Sequence, residues 1–526
     1  MNAEFFRPPL DYPRIPYDQM LSHGAARHPE NVAVVFRDVS LTYRELEALT
    51  NRFAHALLAL GVAKGDRVCV LAPNCPEYLI AFYAIARVGA IASPMNPSYR
   101  EREIEYQLND TEAMAIVVHT NLVSLVEAVR DRSPHLKHLI AVGPGQSPGS
   151  RVLSFTELIA DQPSTPPAPV EILEDDLVAL PYSSGTTGLP KGVMISHKNL
   201  VTNNIQFVAC IRMRESDRLM LFLPFYHIYG TMLMGAAVYT GATCVLMERF
   251  EPVECLELVQ RHRVTLFFVV PPVLLMLSNW PELAKYDLSS LRTTMVGAAP
   301  VAPELARRFR QLTGVPVLQG YGMTEASPLT HVNPVYDESL NVVDSAGLLA
   351  HDTTHRVVDI ETGERELGPG EIGEICIRGP QIMRGYWRAP EATAAALRDG
   401  WYYSGDIGYV DERGYLYIRD RKKEMIKFKG FGIAPAEIEA LLVEHPAVAD
   451  AAVIGKPHPE AGEIPKAFVV RKKGQNLTAN DVVAFVKGRL ANYKVPREVE
   501  FVDAIPKTPS GKILRRVLKE QELARG

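Results

Sequence analysis

Apolar residues along this chain fall into two alternating rhythms. Unbroken runs of strand length, among them RVCVLAP, AIVVH, HLIAVG, CVLM, LFFVV and PVLQGYG, suit strands buried on both faces. Helical spacings lie between several of them. In TYRELEALTNRFAHALLALG, Leu46, Leu49, Phe53, Leu57 and Leu60 share one face and Gly61 closes the helix. Strand alternating with helix predicts an α/β architecture with parallel sheets covered by helices. Past about residue 340 the texture changes. EIGEICIRG, YYSGDIGYVD and GYLYIRD are short, alternating and punctuated by glycine, which predicts an antiparallel β subdomain. A second change follows IRDRKKEMIKFKG, after which AEIEALLVEHPAVADAAVIG and NDVVAFVKGRL read as helix, strand and helix. The polar cluster Arg421, Lys422, Lys423 and Glu424 marks this junction. The expected organisation is a large N-terminal domain over residues 1–420 and a small, mobile α+β C-terminal domain over residues 421–526, hinged at the cluster.

The length of 526 residues asks for more than one core, and 47 % hydrophobic with 22 % charged content is that of a soluble globular protein. A net charge of -5 argues against broad nucleic-acid binding. The charge is unevenly spread, about +7 over residues 421–526 and about -12 over residues 1–420. A basic module thus follows an acidic one. Six scattered cysteines, with no CxxC pair and no histidine cluster at metal-ligand spacing, predict free thiols in a reducing, cytoplasmic setting. No signal peptide is expected from MNAEFFRPPLDYPRIPYDQM, and ELARG carries no peroxisomal or prenylation signal. No Asp, Glu, Lys or Arg occurs between Arg218 and Glu248, but Pro224, His227, Gly230, Gly235 and Gly241 interrupt the stretch, which predicts buried strands and a core helix and no membrane span.

The strongest local motif is YSSGTTGLPKG, Tyr182 to Gly192. Its glycines and hydroxyls can turn many donors toward a polyphosphate, with Lys191 adding charge. It is not a Walker A loop, since Gly188 is followed by Leu-Pro-Lys-Gly. Taken alone it suits either a phosphate cradle or a mobile Ser/Thr/Gly turn. In GYGMTEASP, Thr324 and Glu325 pair a hydroxyl with a carboxylate, which suits magnesium held against phosphate or a solvated loop. His227, within the uncharged stretch, reads as a core histidine or a catalyst. Asp406 in YYSGDIG reads as a turn or as an acceptor for two ribose hydroxyls. Lys512 follows Pro509, Ser510 and Gly511, a mobile loop tip able to carry one ammonium into a cleft or to leave it in solvent.

In order along the chain, YSSGTTGLPKGVMISHKNL, LPFYHIYG, VGAAPV, QGYGMTEASP, GWYYSGDIGYVDERGYLYIRDRKKEMIKFKG and IPKTPSGKILRR resemble the signature blocks of acyl- and aryl-CoA synthetases of the adenylate-forming superfamily, coumarate:CoA and fatty acyl-CoA ligases above all. The resemblance implies an ATP-dependent ligase that makes an acyl-AMP and passes the acyl group to coenzyme A. It implies ATP, Mg²⁺ and coenzyme A as cofactors or co-substrates and a small-molecule carboxylic acid, aromatic or aliphatic, as partner, and it leaves the oligomeric state open. Ser183, Ser184, Gly185, Thr186, Thr187, Lys191, Gln319, Gly320, Tyr321, Thr324, Asp406 and Arg421 become the expected nucleotide site. Within it Tyr321 takes the adenine face, Thr324 the α-phosphate, and Asp406 with Arg421 the ribose, while Glu325 takes the magnesium. Tyr226, Gly297, Gly322, Pro328 and Leu329 become acyl-pocket walls, and His227 gates the thiol's route. Lys512 is implied as the catalyst of the first half-reaction. After rotation about Lys423, Lys427 serves the second, with Lys429, Gly430 and Phe431 against coenzyme A.

Two departures bear on this. KGFGIAP has Gly432 where many relatives carry glutamine, and DSAG at 344–347 replaces the commoner GSVG, so no role is carried over for the glutamine and inference of the acid weakens. A non-CoA adenylating enzyme, either a carrier-protein loader or a luciferase-like oxygenase, is the alternative. A non-catalytic scaffold is a third reading, opposed by the presence together of Lys191, Glu325, Asp406, Arg421 and Lys512.

Overall fold

The computed structural model describes residues 7–145, 151–183, 190–428, 431–458, 461–487, 489–490, 492–508 and 511–524. Among the described residues the chain forms four sheets. The first has a parallel centre made of Val32–Phe36, Thr243–Leu246, Arg218–Leu221, Leu266–Val269, Thr293–Val296 and Val317–Gly322, in that spatial order, with antiparallel strands at both margins. The second runs Leu177–Ala179, Ile91–Pro94, Arg67–Leu71, Ala115–His119 and His138–Val142 in parallel. Strands such as AIVVH and LFFV are buried at every position, as the continuous apolar runs require for sheets covered on both faces.

Helix Tyr43–Ala59 shows how local chemistry sets these elements. Thr42 accepts from the Glu45 amide while Glu45 accepts from the Thr42 amide at 2.8 Å, a closed capping box, and Gly61 takes a left-handed φ of 81° beyond its end. Leu46, Phe53 and Leu57 are fully buried, and Leu49 and Leu60 pack against the same core. The uncharged stretch folds as strand Arg218–Leu221, helix Ile228–Thr240 and strand Thr243–Leu246, buried in this core except at the ends, where Arg218 is exposed and Tyr239, Thr240 and Thr243 are half-buried. No helix among the described residues is long and apolar enough to cross a membrane. All six cysteines are free and buried.

The third sheet is antiparallel, built from Thr354–Val358, Gly373–Arg378, Trp401–Val410, Leu397–Arg398 and Leu416–Arg421. The fourth begins at Ile426 and holds Ile426–Phe428, Phe431–Ile433, Gly462–Arg471 and Val448–His458, with Glu498–Phe501 parallel to one long strand and helices Pro435–Val443, Ala479–Lys487 and Arg515–Leu523 around it. Its apolar cluster, including Ile426, Ile438, Leu442, Val453 and Val469, is separate from the main core. Residues 422–425 bridge the third and fourth sheets.

Candidate active site

Strand order in the first sheet reverses around Arg218–Leu221. The chain crosses to Thr243–Leu246 on one side and later to Leu266–Val269 on the other. The carboxyl ends of the strands flanking such a reversal leave a crevice, the usual ligand position in an open α/β sheet. Three of the chain's motifs meet at that edge. Tyr226 and His227 follow Leu221, Gly297 follows Val296, Gly322 ends its strand, and Pro328 and Leu329 turn back beside it.

Close approach explains the glycines here. A Cβ at Gly322 would lie 2.1 Å from the Pro328 carbonyl oxygen, and one at Gly297 3.0 Å from the Tyr229 ring. Asn74, in the turn after strand Arg67–Leu71, donates to the carbonyl of Leu223 at 3.0 Å and accepts from the Phe225 amide at 2.8 Å, locking the loop that presents His227. Asn203 grips Leu329 in both directions, donating to its carbonyl and accepting from its amide, each at 2.9 Å. The Tyr229 hydroxyl is buried behind Gly297 and has no hydrogen-bond partner among the described residues.

The His227 ring stands at the start of helix Ile228–Thr240 and accepts from the Tyr229 amide at 3.3 Å. It reaches solvent within the crevice, yet the protein surrounding it, and next the ammonium of Lys512, push its pKa down to about 4. It is neutral at physiological pH. Replacing Lys512 by methionine is expected to move this titration upward, read by NMR of the ring protons. An unmoved value would mean the small domain does not dock Lys512 here in solution.

On the other side of the crevice, Asp406 and Arg421 face each other across a β-ladder, with Arg421 Nε 2.7 Å from Asp406 Oδ1. The Tyr321 hydroxyl donates to Asp406 Oδ2 at 2.5 Å, and burial, then the Asp406 charge, hold that phenol well above its ordinary pKa, so it stays a donor. Behind them Glu374 accepts from the Gly405 amide at 3.1 Å and from Lys422 at 2.8 Å. Ser183 and Lys191 are paired antiparallel, as are Tyr182 and Gly192. The Lys191 ammonium stands 5.6 Å from the Tyr386 ring centre, and the Tyr386 hydroxyl donates at 2.9 Å to buried Glu325. Lys191 and Glu325 therefore converge on Tyr386. Thr324 shares the short helical turn Thr324–Ala326 with Glu325.

The small domain reaches into this crevice. Gly511, at φ 83°, lies so close to Pro272 of the large module that a Cβ would come within 2.4 Å of its ring. Lys512, next in sequence, is half-buried; burial first and then Arg421 lower its pKa, while Asp406 and Glu424 act the other way. Lys423, though exposed, is held down to about 8 by the protein around its stem, then by Arg421 and Lys512. Arg421, Lys423 and Lys512 thus crowd one cleft, a concentration of cations suited to an anionic ligand.

Of the remaining expected site residues, Gly320 lies against Met295 at the base of its strand. Gln319 turns to main-chain groups, accepting from the Val301 amide at 3.0 Å and donating to the Val343 carbonyl. Lys427 is exposed on Ile426–Phe428, opposite Gly432 in the ladder, and among the described residues no ion pair or side-chain hydrogen bond joins it to the crevice. Ser184, Gly185, Thr186, Thr187, Lys429 and Gly430 lie outside the described residues, as does the side chain of Phe431. Sequence reasoning missed Tyr229, Tyr386, Asn74 and Asn203. Position after the HIYG histidine was a signal for Tyr229; the others carry none.

Two family models match the chain. The family model described as AMP-binding enzyme matches residues 21–387, and that for the AMP-binding enzyme C-terminal domain matches residues 437–512. The chain is similar to the long-chain-fatty-acid–CoA ligase of Bacillus subtilis (strain 168), 37 % identical over 545 aligned positions that cover 98 % of this chain and 96 % of the relative. It is 41 % identical to the 4-coumarate–CoA ligase of Pinus taeda over 498 positions, covering 93 % and 91 %. The crystal structure of the anthranilate CoA ligase AuaEII in complex with anthranoyl-AMP superposes with a TM-score of 0.90 at 29 % identity, covering 100 % of this chain and 99 % of that one.

Proposed function

The chain belongs to the AMP-binding enzyme family, as an AMP-forming acyl- or aryl-CoA synthetase that uses ATP and coenzyme A, and we propose that it works through an acyl-AMP formed in the crevice described above. A carboxylate oxygen of the acid attacks the α-phosphorus of ATP and the bond to pyrophosphate breaks. The thiol of coenzyme A then loses its proton, its sulfur attacks the acyl carbonyl, and AMP leaves. What carries the reading is the approach of the Lys512 loop to the crevice, with Gly511 packed on Pro272 and the Lys512 charge within reach of Arg421, Asp406 and His227, where an acid would meet a nucleotide.

In the first step negative charge gathers on the attacking carboxylate, the phosphate and the departing pyrophosphate. A cation already in place at Lys512 lowers that barrier without reorganising. Neutral His227 leaves the carboxylate room to enter without fixing it as an ion pair. Glu325 is a single buried carboxylate beside the phosphate hairpin, which suits Mg²⁺, an ion that takes one or two protein carboxylates and fills its shell with phosphate and water oxygens. Mg²⁺ held there would neutralise charge on the leaving pyrophosphate. For the second step, Lys427 and the strand opposite Gly432 would turn toward the adenylate about Lys423, and Lys512 would leave.

Within the acid pocket, the unpartnered Tyr229 hydroxyl behind Gly297 favours an acid whose far end carries a polar group. A pyrophosphate-release screen over aromatic and aliphatic acids, run with and without coenzyme A, tests both points. Turnover is expected to depend on coenzyme A and to be fastest for acids with a hydroxyl or amine at the distal end. Tyr229→Phe is expected to reduce that preference about fivefold, the worth of one hydrogen bond of about 1 kcal/mol. A phosphopantetheinyl carrier protein accepted in place of coenzyme A would overturn the ligase reading in favour of a loading enzyme. An acid preference indifferent to Tyr229→Phe would overturn the polar-end reading alone.

A further inference from the structure

The helix Pro435–Val443 opens the second layer of the small domain without a cap of its own. Its N-cap residue is Ala434, which offers no side-chain acceptor. Helix N-termini leave amides that need a partner, and an alanine cap costs stability for that reason. The amide of Ala436 finds its acceptor in Asp420, whose Oδ2 lies 2.8 Å away. Asp420 belongs to strand Leu416–Arg421 of the third sheet, on the other side of Lys423, and its second oxygen accepts from the Arg421 amide at 2.7 Å. The carboxylate is buried, 6 % exposed, which makes the loss of either partner expensive.

From Ala436 the contacts run on to the catalytic loop. One helical turn along, Glu439 is buried and holds Arg515 through two contacts, Nε to Oε1 at 3.1 Å and Nη2 to Oε2 at 2.6 Å. The guanidinium of Arg515 also lies near enough to Asp420 for their charges to act on each other. Three residues before Arg515 stands Lys512. Large-module strand, small-domain helix and catalytic loop are therefore joined by one buried run of charged hydrogen bonds, Asp420 to Ala436, then Glu439 to Arg515.

We propose that Asp420 is a positioning residue for the first half-reaction: by capping a helix of the other domain it holds Lys512 in the crevice, and it releases that helix when the small domain turns. The inference rests on the ligase reading above. Ala436 follows the hinge and Asp420 precedes it, so rotation about Lys423 carries one away from the other and breaks the bond. A residue with this role supports one orientation of the enzyme and is silent in the other.

Asp420→Ala in the full chain tests this, with two readouts: pyrophosphate release from the best acid of the panel, and thioester formation from the synthetic adenylate of that acid with coenzyme A. The first is expected to fall at least tenfold while the second stays within twofold or rises. Equal loss in both, or no loss in either, overturns the proposal. Should Asp420→Ala fail to fold, Ala436→Pro removes only the donated N–H at a first-turn position that tolerates proline, as Pro271–Pro272 at the start of Pro271–Ser278 does, and the same split is expected. If the unaltered enzyme forms no thioester from the synthetic adenylate, the ligase reading fails, and the pyrophosphate arm still decides on Asp420.

Discussion

Lys512→Ala is expected to lower acid-dependent pyrophosphate release about 10²–10³-fold, the usual effect of deleting one preorganised group that meets transition-state charge, and to leave thioester formation from a synthetic acyl-AMP nearly unchanged. The asymmetry follows from where the charge arises. On the proposed scheme the charge on the attacking carboxylate and the departing pyrophosphate belongs to the first step alone, and in the second, where AMP is the leaving group, the small domain would have turned Lys512 away. Burial and Arg421 lower the pKa of Lys512 from the ordinary lysine value, so the free enzyme loses this cation on the alkaline side earlier than an exposed lysine would. Pyrophosphate release should therefore decline with rising pH before thioester formation does. Comparing the two half-reactions across pH for the parent and variant checks both statements. A variant equally slow in both halves would remove Lys512 from its assigned step.

That lysine also illustrates what a sequence can carry. The continuous apolar runs became buried parallel strands because a sheet covered on both faces has no solvent side for polar residues to occupy. The glycine closing Tyr43–Ala59 and the alternation in YYSGDIGYVD were similarly local, and local chemistry sufficed. The motif residues around the crevice were visible by kind. Their convergence was not, because the meeting of Leu221, Val296 and Gly322 depends on the order of strands in the sheet. Gln319 marks the limit. Its neighbours made it an expected nucleotide contact, yet its amide bridges Val301 and Val343, a use decided by residues that no spacing connects to it. Asp420 and Tyr386 are cases of the opposite kind. Nothing about an Asp before an arginine, or a Tyr after a glycine, announces that one caps a distant helix and the other joins Lys191 to Glu325.

Asp406→Ala is expected to behave unlike Lys512→Ala, impairing both half-reactions together. Asp406 is 3 % exposed and holds Arg421 on one oxygen and Tyr321 on the other. Removing one partner from a buried, hydrogen-bonded charge pair costs about 2–5 kcal/mol, much of it from the charge left unpaired. In the free enzyme that loss falls on stability. In the complexes it falls on ligand binding, because Arg421 and Tyr321 lose the geometry in which a ribose would meet them. The ribose is common to ATP and to the acyl-AMP, so on the proposed assignment the same contact would serve both steps. KM for ATP in pyrophosphate release and KM for the synthetic adenylate in thioester formation should rise together, by about 30-fold or more for a loss of about 2 kcal/mol. Asp406→Asn, which keeps one acceptor for either partner, should lie between parent and alanine variant. A rise confined to ATP would place Asp406 at the phosphates, and a rise confined to the adenylate would tie it to the turned orientation; either outcome would take Asp406 away from the ribose. Run beside Lys512→Ala, the pair of variants separates a residue that acts on charge present in one step from a residue that grips what both steps share.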